Sequence, residues 1–357
     1  MDRDIPGIVP VTAALTRRGL LGVAAGLAVP AGLRAAEPDP ALVQAALREG
    51  AVVWYTGMIV NQIVRPIVEA FEAKYPGIKV QYSRATGSDN ALKIINEARA
   101  RRPQADIVDA TSALAPLLDA GLIAEFHPAE AARYPAALKD PQGLWACPNV
   151  YYFTAAYNTN LVPAAEAPQT YDDLLNPKWK GRMAWTSDLT AGGPPGFIHN
   201  ILLTRGQEKG MEYLRAFARQ EPVVIPAAQR VVLDKVIAGE YPLALMTLSY
   251  HSTISAAQGA PVQWLKMPPM IETPNTVSVM QNAPHPNAGR LLIEFLLSRQ
   301  GQEIMAAHDY MPSDPSVPVK DPNLQPEHGG FAVTVINPDD VRAGLPTWTK
   351  LYHELFR

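Results

Sequence analysis

Five short turns carry the side chains best suited to holding a small polar molecule. They are Thr56-Gly57, Thr86-Gly87-Ser88, Thr111-Ser112, the run Ser187 to Gly193 with Thr190, Ala191 and Gly192 at its centre, and Ser249-Tyr250-His251. Each follows an apolar or alternating run that reads as a strand. Hydroxyls donate and accept hydrogen bonds, and glycine lets a backbone N–H come close to a ligand. A helix starting just beyond such a turn adds free N–H groups that favour a carboxylate or phosphonate. The same residues are also ordinary helix caps, so each turn taken alone has two readings. In the fourth turn Asp188 would repel an anion and attract an amine, and Pro194 and Pro195 lack the N–H that would extend a nest.

Bond-breaking chemistry has less support. The seven histidines (His127, His199, His251, His285, His308, His328 and His353) are dispersed. Only His251, beside Tyr250, is a candidate general base. The chain has no nucleophile elbow, no Gly-rich phosphate loop and no histidine pair at helical spacing. Cys147 is the single cysteine, which excludes an internal disulfide and a multi-cysteine zinc site. It reads as a small buried apolar residue. A resident cofactor or metal is therefore not expected. A two-lobed α/β hydrolytic enzyme stands as the rival from another class.

The elements that must position these turns alternate. A helix over Pro40–Glu49 precedes the apolar run Ala51 to Tyr55. An amphipathic helix spans Asn61 to Lys74, and Ile78 to Tyr82 alternates as a strand. Thr86 to Asp89 cap a second such helix, and Asp106-Ile107-Val108 is a third strand. Strand–helix repetition of this kind predicts a parallel sheet with right-handed crossovers. The aromatic segment Trp145 to Phe153 has no helical period and reads as a crossing into a second lobe. Tyr151 and Tyr152 lie there; alternation allows at most one to face a cleft, and Tyr152 is the candidate. Leu243 to Met246 is a buried strand, Thr276 to Val279 a returning one, and the proline-rich tail ends in a helix near Leu351.

The length of 357 residues, 48% of them hydrophobic, suits two domains. A net charge of −3 leaves no basic footprint for nucleic acid. At the N-terminus, Thr16-Arg17-Arg18-Gly19-Leu20-Leu21 precedes a short apolar run to Leu33. That pattern resembles a twin-arginine export signal, with cleavage near Ala35 or Ala36. The run is shorter than the roughly 20 residues of a spanning helix.

An ordered set of segments resembles the periplasmic solute-binding proteins of ABC importers (extracellular solute-binding family 1, the ferric-iron, thiamine and phosphonate subgroup). It comprises Tyr55-Thr56-Gly57, Phe71 to Val80, Pro103 to Val108, Leu117 to Ile123, Ala156 to Thr159, Pro177 to Gly181, Gly239 to Ala244, and Leu296 to Gln302. The resemblance spans almost all of the chain after residue 36. It implies an α/β, two-lobed periplasmic binding protein fold (type II) with the ligand in the interlobe cleft. Residues 1–36 would be the signal peptide, 37–148 and 276–311 one lobe, and 149–275 and 312–357 the other. It further implies a monomer that captures a small solute in the periplasm, passes it to a permease and an ATPase at the inner membrane, and catalyses nothing. A sensor that binds the same ligand is not distinguished. Ferric-iron members use a His in the first loop, a Glu after the third strand, and two adjacent tyrosines after the strand following the Gly-Glu turn. Here the first loop is Gly57-Met58-Ile59, the third turn is Thr111-Ser112, and the tyrosine position is Ser249-Tyr250, or Tyr250-His251 if shifted by one. Tyr250 alone is a poor cage for a hard trivalent cation. The expected ligand is accordingly organic (thiamine-like, phosphonate, carboxylate or amine), with ferric iron on Tyr250 as the alternative.

Overall fold

The structure, a computed structural model, describes residues 38–356. The twin-arginine motif and the cleavage site at Ala35 or Ala36 lie outside the described residues. Helix α1 (Pro40–Glu49) is capped by Asp39, whose carboxylate accepts from the Ala41 N–H at 2.9 Å, and ends at Gly50 in the left-handed region. Strand β1 (Ala51–Thr56) follows. The predicted helix from Asn61 begins instead as a wider π turn, Val60–Val64, which buries both Ile63 and Val64 before α2 (Arg65–Lys74). Then come β2 (Lys79–Arg84), α3 (Gly87–Arg99), β3 (Ile107–Asp109), α4 (Thr111–Asp119) and β4 (Ile123–Ala124).

The long strand β5 (Ala146–Asn158) leads to β6 (Met183–Thr186), α5 (Pro194–Arg205), α6 (Gln207–Ala218) and β7 (Val223–Ile225). Next are α7 (Gln229–Ile237), β8 (Leu243–Leu248), α8 (Ser249–Ala257) and β9 (Val262–Trp264). The second long strand, β10 (Met270–Met280), precedes α9 (Pro286–Leu297), α10 (Arg299–Ala307) and β11 (Met311–Pro312). The chain continues through α11 (Pro326–Gly329) and β12 (Val333–Val335) to α12 (Pro338–Phe356).

Strand order along the sheet is β2-β1-β3-β10-β5-β8-β6-β7. The outer trios β2-β1-β3 and β8-β6-β7 are parallel, as βαβ alternation requires. The two long strands between them run antiparallel to their neighbours and to each other, so the sheet is mixed. Two apolar cores flank this pair. One gathers Ala46, Trp54, Ile67, Phe71, Leu292 and Phe295 from α1, β1, α2 and α9. The other gathers Trp185, Phe197, Phe217, Trp348 and Tyr352 from β6, α5, α6 and α12. Among the described residues, β5 and β10 contribute to both of these cores, the chain passes between the halves again where it runs from β11 to α12, and a third cluster with Tyr55, Leu114, Tyr152, Tyr250 and Trp264 lies along the crossing.

Candidate functional site

The parallel strands of each half end toward the crossing strands, and the polar turns sit at those ends. At the end of β1 and β3 they converge on Asp109, which is fully buried. Its carboxylate accepts from Trp54 Nε1 at 2.6 Å and from the Gly57 N–H at 3.2 Å, with the Thr56 and Asn275 side chains also bonded to it. Burial pushes its pKa up to about 7, against the pull of those four donors. Thr56 Oγ1 also accepts from the Met58 N–H at 3.0 Å, so this hydroxyl is spent on the protein itself. Gly57 has room for a side chain, because a Cβ there would meet nothing closer than 3.9 Å.

Gly87 is different. A Cβ at that position would lie 2.2 Å from Ser112 Oγ and 2.7 Å from Ala110 Cβ. The glycine is what lets the N-termini of α3 and α4 pack together. Ser88 and Ser112 are exposed. The Thr111 hydroxyl donates to the Pro274 carbonyl on β10, tying α4 to a crossing strand.

In the second half, the loop from Ser187 to Gly193 is anchored at its start and turns back on itself at its end. The Ser187 N–H donates to the Ile225 carbonyl at 2.9 Å, and the Gly193 N–H to Thr190 at 3.0 Å. The Gly192 carbonyl accepts from Gln229 Nε2 at 2.9 Å, and a Cβ on Gly192 would strike the Phe153 ring at 2.5 Å. The loop, with the buried Ala191, therefore lies directly on the crossing strand β5. Helix α5 starts at Pro194, because a proline is well placed in a first turn. Strand β8 stops at Leu248, so Tyr250 and His251 belong to the first turn of α8. Burial lowers the His251 pKa to about 4, with Arg230 adding to the effect and Asp234 opposing it. A neutral imidazole results, set against the Tyr250 ring at 4.5 Å.

Sequence reasoning missed what surrounds Tyr250. Its ring lies 5.9 Å from that of Tyr310, which follows α10, and the Tyr151 phenol adjoins both. Tyr151, not Tyr152, is the member of the β5 pair beside these phenols. Tyr152 points to the opposite face of the strand and packs on Phe331 at 6.0 Å. Burial raises the pKa of all three phenols, Tyr310 to about 12 and the other two well above the usual range. Tyr310 also accepts from the Ile59 N–H at 3.0 Å. Asn149, fully buried on β5, accepts from Asn275 Nδ2 at 3.0 Å, while its own Nδ2 meets no acceptor at hydrogen-bonding distance. The Ser249 hydroxyl is likewise buried without a partner. A signal existed for Asp109, an acid closing the apolar strand Ile107-Val108. None existed for Tyr310, which reaches the site only through the tertiary fold.

Two halves, two crossing strands, and uncharged hydroxyl and amide groups converging from both halves define a solute receptor. Among the described residues, no three His, Cys, Asp or Glu side chains converge to hold a metal ion. A family profile described as bacterial extracellular solute-binding protein matches residues 102–342, and the chain belongs to that family. It is the substrate-binding component of an ABC transporter, a class that works with a permease and an ATPase. Members are solute-binding transport proteins. The chain is 22% identical over 273 residues to the Fe(3+)-binding periplasmic protein of Serratia marcescens, covering 74% of this chain and 79% of that one. Among solved structures it resembles iron-bound HitA from Pseudomonas aeruginosa, with TM-score 0.70, 22% identity, and coverage of 85% and 99%. It also resembles the periplasmic binding protein AfuA from Actinobacillus pleuropneumoniae with fructose-6-phosphate bound. That match has TM-score 0.69, 20% identity, and coverage of 84% and 98%. The relatives are periplasmic, and no helix among the described residues is long and apolar enough to cross a membrane.

Proposed function

We propose that the cleft between the halves captures a small, oxygen-rich organic solute, a carboxylate or phosphate ester, and delivers it unchanged to the permease. The observation that carries this reading is the convergence of uncharged hydroxyl and amide donors, two of them buried without a partner. Asn149 Nδ2 and the Ser249 hydroxyl are buried with no acceptor or donor at hydrogen-bonding distance, and the Tyr151 and Tyr250 phenols lie beside them, Tyr151 within reach of the Asn149 side chain. Buried donors without partners are costly, and an acceptor-rich ligand satisfies them. The phosphate sugar held by AfuA has this character. Under this reading the halves are residues 37–148 with 276–311, and 149–275 with 312–357. Thr111, Ser187 and Thr190 line the approach, and export proceeds through the twin-arginine motif with cleavage near Ala35 or Ala36.

A ferric ion is the second reading, favoured by one specific observation. Three phenols meet where the sequence promised one, and oxygen donors suit a hard trivalent cation. The Serratia marcescens and Pseudomonas aeruginosa proteins bear iron in their names.

One experiment separates the two. Purified protein is titrated with ferric citrate and, separately, with a panel of organic acids and phosphate esters, read by visible absorption and by melting temperature. A stabilising organic ligand with no phenolate-to-iron absorption band supports the first reading. The band, lost in Tyr250→Phe, replaces it with the second. For an organic ligand, Tyr250→Phe is expected to weaken binding by about 0.5–1.5 kcal/mol, the worth of one neutral hydrogen bond.

A further inference from the structure

Tyr152 faces away from the cleft, and what it faces is a second cavity of about 200 Å³. The floor of this cavity is the rear of the two crossing strands, with Val150 and Tyr152 from β5 and Glu272 from β10. Strands β11 and β12, which pair with β5 and β10, border it, and α11 contributes Glu327. Most of its wall is proline, alanine, valine, leucine and methionine, and no Lys, Arg or His lines it.

Glu272 is only 8% exposed, and among the described residues it forms no ion pair. Its hydrogen-bonding neighbour is the Tyr152 phenol, and the nearby charge is another carboxylate, Glu327. Burial first, and Glu327 second, push the Glu272 pKa up to about 7. A buried carboxylate with a negative neighbour and no cation is an unstable arrangement on its own. It becomes a favourable one when a cation enters, and the apolar wall suits a ligand with a hydrocarbon body.

We propose that the rear of the hinge holds a binding site for a small organic cation, a primary ammonium on a short apolar chain. The ammonium lies between Glu272 and Glu327 and the chain lies along Val150, Met311 and Val333. A water takes about 30 Å³ in the liquid, so the space admits roughly six or seven groups of that size. The site is separate from the cleft and does not depend on what the cleft binds. A bare divalent cation fits it less well, because only two of the lining residues are acids and most of the wall is apolar.

The test is calorimetric titration at pH 8 of the full chain with n-butylammonium, n-butanol and calcium chloride. The expected result is saturable binding of butylammonium, with none by the isosteric alcohol or by calcium. Glu272→Gln should weaken it at least tenfold, and Glu327→Gln should weaken it less. Glu272→Gln removes a strained charge, so it should melt cooperatively at or above the wild-type temperature, which certifies its fold. Butylammonium binding that is absent, matched by butanol, or unchanged in folded Glu272→Gln overturns the proposal. Saturable calcium binding lost in Glu272→Gln overturns it in favour of a metal site.

Discussion

Glu272 and Asp109 are both acids whose pKa burial raises to about 7. The folded state holds their protons more tightly than the unfolded chain does. The favourable contribution is therefore complete below the ordinary carboxylate range and is lost as pH rises through about 7. Wild-type stability should fall between pH 5 and pH 8 for this reason. Glu272→Gln should remove part of that slope, gaining about 3 kcal/mol at most at pH 8 and little at pH 4, by urea unfolding at each pH. Asp109 retains its share of the slope in the variant. The residue scale is also where the sequence spoke least completely. Tyr250 could be chosen because a polar turn follows a buried strand. Its partners could not, because Tyr310 lies 60 positions on and Tyr151 differs from Tyr152 only in which face of β5 it takes. Alternation says that one of two neighbouring tyrosines faces the cleft, but the phase is set by the tertiary pairing of β5 with β10.

At the scale of elements, most of the first half was legible, because helix periods, caps and glycine stops all agree there. The helix over Pro40–Glu49 and the cap at Thr86 are ends the structure reproduces. The π turn at Val60–Val64 was not legible, because one extra residue in a turn leaves the apolar period nearly intact. Nor was the backbone of β8, where Met246 sits at a φ of +55° and the pairing with β5 slips between Thr154 and Ala156. That irregularity lies four residues before Tyr250 and turns the start of α8. A β-branched side chain tolerates this conformation badly. Met246→Val should cost about 1–3 kcal/mol more than Leu245→Val, its neighbour in the same buried strand, and should also weaken cleft binding. Equal losses in denaturant unfolding would show that the backbone at Met246 is not strained. Gly87→Ala belongs to this scale too. Its Cβ must displace Ser112 or Ala110, so a loss of about 1–3 kcal/mol is expected by thermal unfolding.

For the whole molecule, β5 and β10 contribute to both of these cores, and Asn149 and Asn275 pair across them at 3.0 Å. The register of β10 on β5 breaks just beyond, between Asn275 and Val277. Such a two-strand link permits the halves to close on a ligand that touches both, because only differential affinity for the closed form shifts the population. Small-angle scattering should show a smaller radius of gyration when the cleft ligand saturates. An unchanged radius would remove the hinge from the mechanism. The two-lobed arrangement was readable from strand–helix alternation broken by one aromatic, aperiodic run. The mixed sense of the sheet was not, because local pattern does not say whether a strand runs with or against its neighbour.

The cores have one more consequence, and it concerns synthesis. The first is sealed by Phe295 and Tyr310 against residues from 46 onward, with Glu49 accepting from the Asn287 and Ala288 N–H groups at the start of α9. The second waits for Trp348 and Tyr352, whose helix covers Trp185. Neither can close while the chain is still being made as far as those residues, since the contacts that complete each lie far apart in the chain. Folding thus acts as a check on length. A product cut short before α12 lacks the rings of Tyr352 and Phe356 that cover Trp185 and Phe217, and proteases act on such exposed apolar surface before the chain can compete for a permease.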